Sequence, residues 1–465
     1  MLKFTKLGEN VNLIKEYIDQ TEINFCDISQ GVKYMWRDTV QVEYAVYNHT
    51  LILKEKNTSG RISFYYPMGK DVDGAILKIE EFCRAKKLDL VFGYLDEIKL
   101  KKLENRYYYT QNQKDRNWCD YIYIAENFKT YSGKKLSGQR NHVNKFKKSY
   151  PDYQFERLTA ENLGDALAFL KEHNAKRERA GKIEELERQH AFSLTENAFV
   201  LNQVGGMIKV DGKVVAVSVG ERVKDTLIVH VEKADTEYSG VYPTMAQEFA
   251  KEYATDGIVY INREEDCGDL GLRTSKMQYS PHEIKYKNFL SVYTLFDRID
   301  LDLRLNTERL TVERIQEQDA KDYERLYTDD KLNALWGYDY RADLGENKPT
   351  PEYFFNFQQL MVDTKEEISF AVKQNGKMVG ELVLHNFDYY GGLEMGFRFF
   401  ENAQGKGYAI ESATALKEYV FNELGAKTLK SRCYKQNEKS NKLIERLGLK
   451  FCSEDKEKYY FSLER

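Results

Sequence analysis

The sequence predicts a mixed α/β protein built from three similar modules in tandem, each an open sheet flanked by helices. Three observations predict it. Alternating apolar runs broken by Asp-Gly or Asn-Gly occur at 207–219 (MIKVDGKVVAVSV) and 370–384 (FAVKQNGKMVGELVL), and these are strong hairpin signals. Each hairpin is followed by a strand, a glycine turn, a helix and a further strand, in the same order. The spacing also repeats, since Gly212 to Tyr242 is 30 residues and Gly376 to Tyr408 is 32.

The elements follow in order. In the first module, TLILK at 50–54 and RISFYY at 61–66 read as a hairpin, with a helix at 73–88 and a strand at 89–95. In the second, the hairpin leads to a strand at 226–234, the turn YSGVY at 238–242, and a helix with Met245, Phe249 and Tyr253 at helical spacing. A strand at 258–264 closes it. In the third, a strand at 393–400 precedes the turn QGKGY at 404–408. The helix carrying Ala409, Ala413, Leu416 and Val420 and a strand at 428–434 follow. Tyr150-Pro151-Asp152 is a turn signal, and a fresh strand begins at Arg309. These set the expected domains at 1–150, 151–300 and 306–465, in line with about 150 residues per domain for a chain of 465.

Composition narrows the function classes. A net charge of −4 gives no global attraction to nucleic acid or anionic membrane. The six cysteines are scattered without a Cys-x-x-Cys pair, so no metal site is expected and a reducing compartment fits. No window approaches 18 uninterrupted apolar residues and the N-terminus lacks an apolar signal core, so a cytoplasmic protein without integral membrane association is expected.

The segment Gln404-Gly405-Lys406-Gly407-Tyr408-Ala409 lies between a strand and a helix. Glycines let backbone N–H groups turn toward an anion, and the helix N-terminus adds a favourable dipole, as a pyrophosphate requires. Downstream stands Asn437-x-x-Ser440-x-x-Leu443-Ile444-x-x-Leu447-Gly448-Leu449, and upstream Thr307-Glu308-Arg309-Leu310. With this ordered set, residues 306–465 resemble the GNAT-family N-acetyltransferases, in the ribosomal-protein acetyltransferase-like branch. Gln404-x-x-Gly407-x-Ala409 matches that family's Arg/Gln-x-x-Gly-x-Gly/Ala loop. The resemblance implies an acyl-CoA co-substrate, acetyl-CoA, and an acceptor amine on a small molecule, peptide or protein. It implies that amides from Gly405 through Lys406, Gly407 and Tyr408 to Ala409 hold the pyrophosphate. The backbone of Met395, Phe397 and Phe399 would meet the pantetheine arm and thioester, and Asn437 and Ser440 would line the cofactor side. Many members carry a tyrosine seven residues after the asparagine as acid for the leaving thiolate, and here that position is Ile444. Ser440 and Tyr434 are the substitutes in view. Glu394 is the base candidate, with a structural carboxylate as the other reading.

Residues 1–300 carry two further charged stretches. Lys134–Lys148 is basic and is interleaved or flanked by Phe128, Tyr131, Phe146 and Tyr150, suited either to phosphate or RNA or to the solvated face of an amphipathic helix. Asn262–Lys276 interleaves acids, bases and glycines at a strand end. On Lys134–Lys148 and Glu264-Glu265-Asp266-x-Gly268-x-x-Gly271-Leu272-Arg273-x-x-Lys276, this region resembles the C-terminal domain of phosphatidylglycerol lysyltransferases. That family places two GNAT-like halves in tandem and moves an aminoacyl group from tRNA. The resemblance implies tRNA as partner of the N-terminal unit and Glu265, Asp266, Arg273 and Lys276 as its site. No stretch here corresponds to the membrane-spanning region of the lipid-modifying members, which argues against a lipid acceptor. The turn Tyr238–Pro243 has one glycine ahead of a proline, which lacks an N–H, so it is not expected to bind CoA.

Overall fold

The computed structural model describes residues 1–8, 10–18, 25–176, 182–345 and 347–465. The chain forms two compact units, residues 1–100 with 112–291, and residues 101–111 with 292–465. Among the described residues no helix is long and apolar enough to cross a membrane.

The first unit holds two sheets around shared apolar packing. One includes Thr5–Lys6, Gln41–Tyr47, Thr50–Lys56, Ile62–Tyr65 and Leu90–Leu95 as successive neighbours, with Met68–Gly69 also paired to Thr50–Lys56 and further strands beyond Leu90–Leu95. The other runs Glu283–Lys285, Asp120–Ile124, Tyr260–Asn262, Thr226–Ala234, Lys213–Val223, Val204–Val210 and Gln154–Arg157. Asp120–Ile124, which the sequence put within the first domain at 1–150, therefore sits inside the second sheet. Leu51, Leu53 and Tyr65 from the first sheet share a core with Met207, Val217, Val219 and Val231 from the second. Each such buried aliphatic or aromatic side chain is worth roughly 1.5–3 kcal/mol, so the two modules fold as one body.

The second unit has one sheet, in the order Arg304–Asn306, Thr311–Arg314, Glu367–Gln374, Lys377–His385, Gly392–Phe399, Thr428–Tyr434, Lys458–Glu464 and Lys450–Glu454. The helix Tyr408–Asn422 buries Ala413, Leu416 and Val420 against Leu382, Leu393 and Met395. Ala320–Thr328 and Pro351–Asp363 are built on a separate aromatic cluster of Tyr323, Tyr327 and Phe354.

The repeat seen in the sequence holds in detail. Both hairpins turn on two left-handed residues, Asp211-Gly212 and Asn375-Gly376. Both carry a register shift at the same offset, between Ile208 and Lys209 and between Val372 and Lys373. In both, a parallel pair is made for three residues only, Thr226–Ile228 with Tyr260–Asn262 and Gly392–Glu394 with Thr428–Lys430. In both, a left-handed glycine, Gly240 or Gly407, caps the following helix.

Candidate active site

In the second unit, parallel pairing stops at Glu394 and Lys430, while the strands continue to Phe399 and Tyr434. The second strand follows the Lys458–Glu464 strand instead. The two strands thus open into a wedge after Glu394. Met395 and Phe399 are buried in the core and Phe397 packs against it, so these residues can offer the wedge their backbone. The Met395 carbonyl already accepts from Ser431 Oγ at 2.9 Å, which closes the narrow end.

The Gln404–Ala409 loop leads into the helix that packs on this strand. Gly405 and Gly407 are left-handed, at φ of 73° and 82°. A Cβ on Gly405 would meet nothing within 4 Å, and on Gly407 only the tip of Arg309, at 3.2 Å. Gln404 to Gly407 are exposed, and the N–H groups from Gly405 to Ala409 donate to no backbone carbonyl among the described residues. This is a run of amides at a helix N-terminus with room in front of it, the arrangement an anion needs. Glu411 fastens the loop. It accepts from Thr307 Oγ1 at 2.6 Å, Arg309 N at 2.9 Å and Arg309 Nε at 2.8 Å, while Arg309 Nη1 donates to the Lys406 carbonyl at 3.1 Å. Arg309 beside the loop was not singled out from the sequence; its place in the Thr307–Leu310 motif was the available signal.

Glu394 lies at the start of the wedge, on the sheet face opposite the loop helix. Its carboxylate accepts from Asn386 Nδ2 at 2.9 Å and pairs with Arg432 Nε at 3.0 Å, and His385 Nε2 is 3.9 Å away. His385 lies directly opposite Glu394 on the next strand. Burial holds its imidazole below the usual value of 6.5, against the pull of the Glu394 charge. His385 was missed in the sequence because only strand register places it there. Farther along, the Trp336 ring lies over Gly396, where a Cβ would sit 3.0 Å from it. The neighbouring Gly337 faces the Tyr434 hydroxyl at 3.4 Å from its would-be Cβ. Asn437 Oδ1 caps the helix Glu438–Arg446 by accepting from Ser440 N at 3.2 Å. Ile444 is buried in the core.

The matching end of the second module is covered. A Cβ on Gly240 would lie 2.3 Å from the His142 carbonyl. The helix Ser137–Ser149 therefore lies against the start of the helix Val241–Tyr253, burying Leu136, Val143 and Phe146 in the same core as Met245 and Phe249. Most of the basic stretch is thus an amphipathic helix with Lys145 and Lys148 exposed, preceded by the exposed Lys134 and Lys135.

The successive acids at 264–266 part company, helped by left-handed backbone at Glu264 and Cys267. Asp266 is buried and pairs with Arg273 at 2.8 Å and Arg116 at 3.1 Å, and Tyr121 donates to it at 2.6 Å. Despite burial, Arg273, Tyr121 and the Gly268 N–H hold its carboxyl far below the usual range. Lys276 donates to the carbonyls of Arg263 and Glu265. Glu264 meets His230 Nδ1 at 2.7 Å. Burial works against the His230 charge, but Glu221 and Glu264 raise its pKa to about 9. Glu265 joins Asp27 and Asp120 around the buried ammonium of Lys287. Cys26 Sγ lies 3.5 Å from that ammonium and donates to Asp120 Oδ1 at 3.2 Å. So Glu265 and Lys276 meet through one main-chain carbonyl, while Asp266 and Arg273 form a separate pair.

Comparison with known proteins accounts for both units. A family model described as phosphatidylglycerol lysyltransferase, C-terminal, matches residues 23–289, more than half of the chain. The chain belongs to that family. Residues 309–450 match the acetyltransferase (GNAT) domain. An uncharacterized N-acetyltransferase, YnaD, of Bacillus subtilis (strain 168) is 24% identical over 155 residues, 32% of this chain and 83% of its own length. The crystal structure of a conserved protein of unknown function from Bacteroides thetaiotaomicron VPI-5482 is 28% identical. It covers 63% of this chain and all of its own, with a TM-score of 0.57. A GNAT-family acetyltransferase structure from Bacillus anthracis is 22% identical over 35% of this chain and 98% of its own, with a TM-score of 0.29. The lysyltransferase-like unit is thus joined to a GNAT domain, and the chain is an N-acetyltransferase. Its reaction is acyl-CoA-dependent acetyl transfer.

Proposed function

We propose that the GNAT domain binds acetyl-CoA at the Gln404–Ala409 loop and along the wedge, and transfers the acetyl group to a primary amine arriving over Glu394 and Gly396. The supporting observation is the open run of amides at Gly405–Ala409 on the helix that packs against the wedge strand. Acetyl-CoA supplies an activated thioester carbonyl. The chain's own residues supply the rest. The loop amides hold the diphosphate, and the Met395–Phe399 strand offers backbone to the pantetheine arm. Asn437 and Ser440 flank the cofactor side from the next helix.

The amine must lose a proton as it attacks. The Glu394 carboxylate is already engaged by Arg432 and Asn386. The neighbouring imidazole is neutral at pH 7 because burial depresses its pKa. His385 therefore accepts the proton, directly or through one water, and Glu394 stabilises the imidazolium that results. Tyr434 is the better acid for the thiolate, since its hydroxyl lies beside Gly337 at the far end of the wedge strand. The demand on it is modest, because a thiol with a reference pKa near ~8.5 is a tolerable leaving group.

CoA thiol release by the full chain over an amine panel tests the reading; acetyl-CoA that neither binds nor turns over would defeat it. His385→Gln should lower kcat/KM by about 10²–10⁴-fold. Activity in the parent falls as pH drops through the His385 pKa, so the acidic limb lies below its ordinary value of 6.5 and should vanish in this variant. Ser440→Ala should cost no more than about a hundredfold, and Tyr434→Phe should cost more than Ser440→Ala. A pH profile unchanged in both His385→Gln and Glu394→Gln would move the base to a backbone-held water.

A further inference from the structure

The sheet face that carries Glu394 holds more negative charge than its cations neutralise. Register places Glu367 opposite His385, and His385 opposite Glu394. The next row is Ser369, Val383 and Gly396, and the row beyond it Ala371, Glu381 and Arg398. Paired residues of an antiparallel sheet share a face, so small residues form a floor between Glu367 and Glu394 at one end and Glu381 at the other. Aromatic rings stand over it. Tyr323 donates to Ser369 Oγ at 3.3 Å, Trp336 covers Gly396, and Arg398 lies between the rings of Tyr327 and Trp336.

Each arginine serves one carboxylate. Arg432 pairs with Glu394, and Arg398 directs both Nε, at 2.8 Å, and Nη2 to a single oxygen of Glu381. The second oxygen, Glu381 Oε2, is buried and has no hydrogen-bond partner among the described residues. The Glu367 carboxylate has no hydrogen bond or ion pair among the described residues. Burial and the nearby Glu381 charge raise its carboxyl to about 7, with Glu366 adding to the rise and Arg398 opposing it. The cations of the covering helix do not help, since Lys321 is exposed and the exposed Arg325 pairs with Asp322. Two acceptor groups thus lack donors beneath aromatic rings, which favours a ligand bearing N–H donors and positive charge.

We propose that the acceptor is a diamine-like molecule whose reacting amine lies at Glu394 while a second ammonium is held by Glu367 on the far side of the same face. The inference rests on the amine-acetyltransferase reading and names its substrate class. Two strand spacings of about 4.8 Å put Glu367 roughly 10 Å from Glu394 along the sheet. A second cation on an alkyl spacer of several carbons would bridge that distance.

The test is calorimetric titration of the full-length protein, saturated with the unreactive analogue desulfo-CoA. Diaminobutane and diaminopentane are compared with butylamine and pentylamine. The diamines should bind at least about tenfold more tightly, about 1.4 kcal/mol. Glu367→Gln should remove that preference while leaving desulfo-CoA affinity unchanged. Equal affinity for diamines and monoamines, no diamine binding, or a preference that survives Glu367→Gln would each overturn the proposal. Failure of the acetyl-CoA reading shows separately, as no binding of desulfo-CoA, and the amine titrations without it still decide the second-ammonium question.

Discussion

Gly407→Asp is expected to abolish acetyl-CoA binding. Gly407 occupies φ of 82° as the residue that caps the helix, with only the Arg309 tip near its would-be Cβ. Asp is among the side chains that tolerate left-handed backbone, so the fold should survive. What changes is the space in front of the amides, which gains a carboxylate where the diphosphate would sit. Like-charge repulsion and loss of room act together, and a drop of at least about a hundredfold in affinity, about 2.8 kcal/mol, is expected. Thermal unfolding of the parent with acetyl-CoA at about 100 times its dissociation constant should show roughly 2.7 kcal/mol of stabilisation. The variant should show no more than about 0.4 kcal/mol at the same concentration. Gly407→Asn separates the causes, because it keeps the bulk without the charge and should retain measurable binding. An Asp variant still stabilised like the parent would place the diphosphate elsewhere.

The second large effect is on stability. Lys287→Met should destabilise the first unit by about 3–5 kcal/mol at pH 7. The Lys287 ammonium is buried and contacts Asp27, Asp120 and Glu265, with Cys26 beside it. Burial disfavours the ammonium, but the surrounding acids outweigh it and hold the lysine charged. In the parent, burial already lifts Asp27 to about 7 in spite of Lys287, while the lysine helps keep Asp120 below the usual range. Without the ammonium, the folded-state pKa of Asp27 rises further above its unfolded value, and Asp120, still buried, loses the charge that depressed it. The folded state then binds more protons, so stability of the variant rises as pH falls. The loss should therefore be smaller at pH 5 than at pH 7. Hydrogen exchange along 26–35 and 260–290 measures it locally, which suits a two-unit chain that need not unfold in one step. A cost below about 1 kcal/mol, or the opposite pH trend, would mean that solvent serves these carboxylates when the lysine is gone.

The parts legible in the sequence share a property, which is that neighbours within a few residues decide them. Asp211-Gly212 and Asn375-Gly376 demand left-handed backbone, and both became two-residue hairpin turns. The period of Ala413, Leu416 and Val420 marked the buried stripe of the helix after the loop, and Gly405 and Gly407 marked the loop itself. The missing amide run at Tyr238–Pro243 was equally visible. Its deeper cause, the helix Ser137–Ser149 lying against Gly240, was not, because a contact across about a hundred residues leaves no local pattern.

Tertiary structure decided the rest. Strand exchange put Asp120–Ile124 into the second sheet and brought Asp120 to Lys287. Charge pattern alone grouped Glu265, Asp266, Arg273 and Lys276, but chain direction at a strand end sends consecutive side chains to different partners, and left-handed Glu264 and Cys267 sharpen that divergence. Glu394 could be picked from its strand, whereas His385, Glu367 and Arg432 came to it only through cross-strand register. The sequence by itself therefore determined the repeated hairpins, the phosphate-type loop and the module order, since these follow from backbone propensity and apolar period. Which carboxylates are paired and which are left without a donor was settled only by the folded sheet, because desolvation and ion pairing depend on groups distant in the chain.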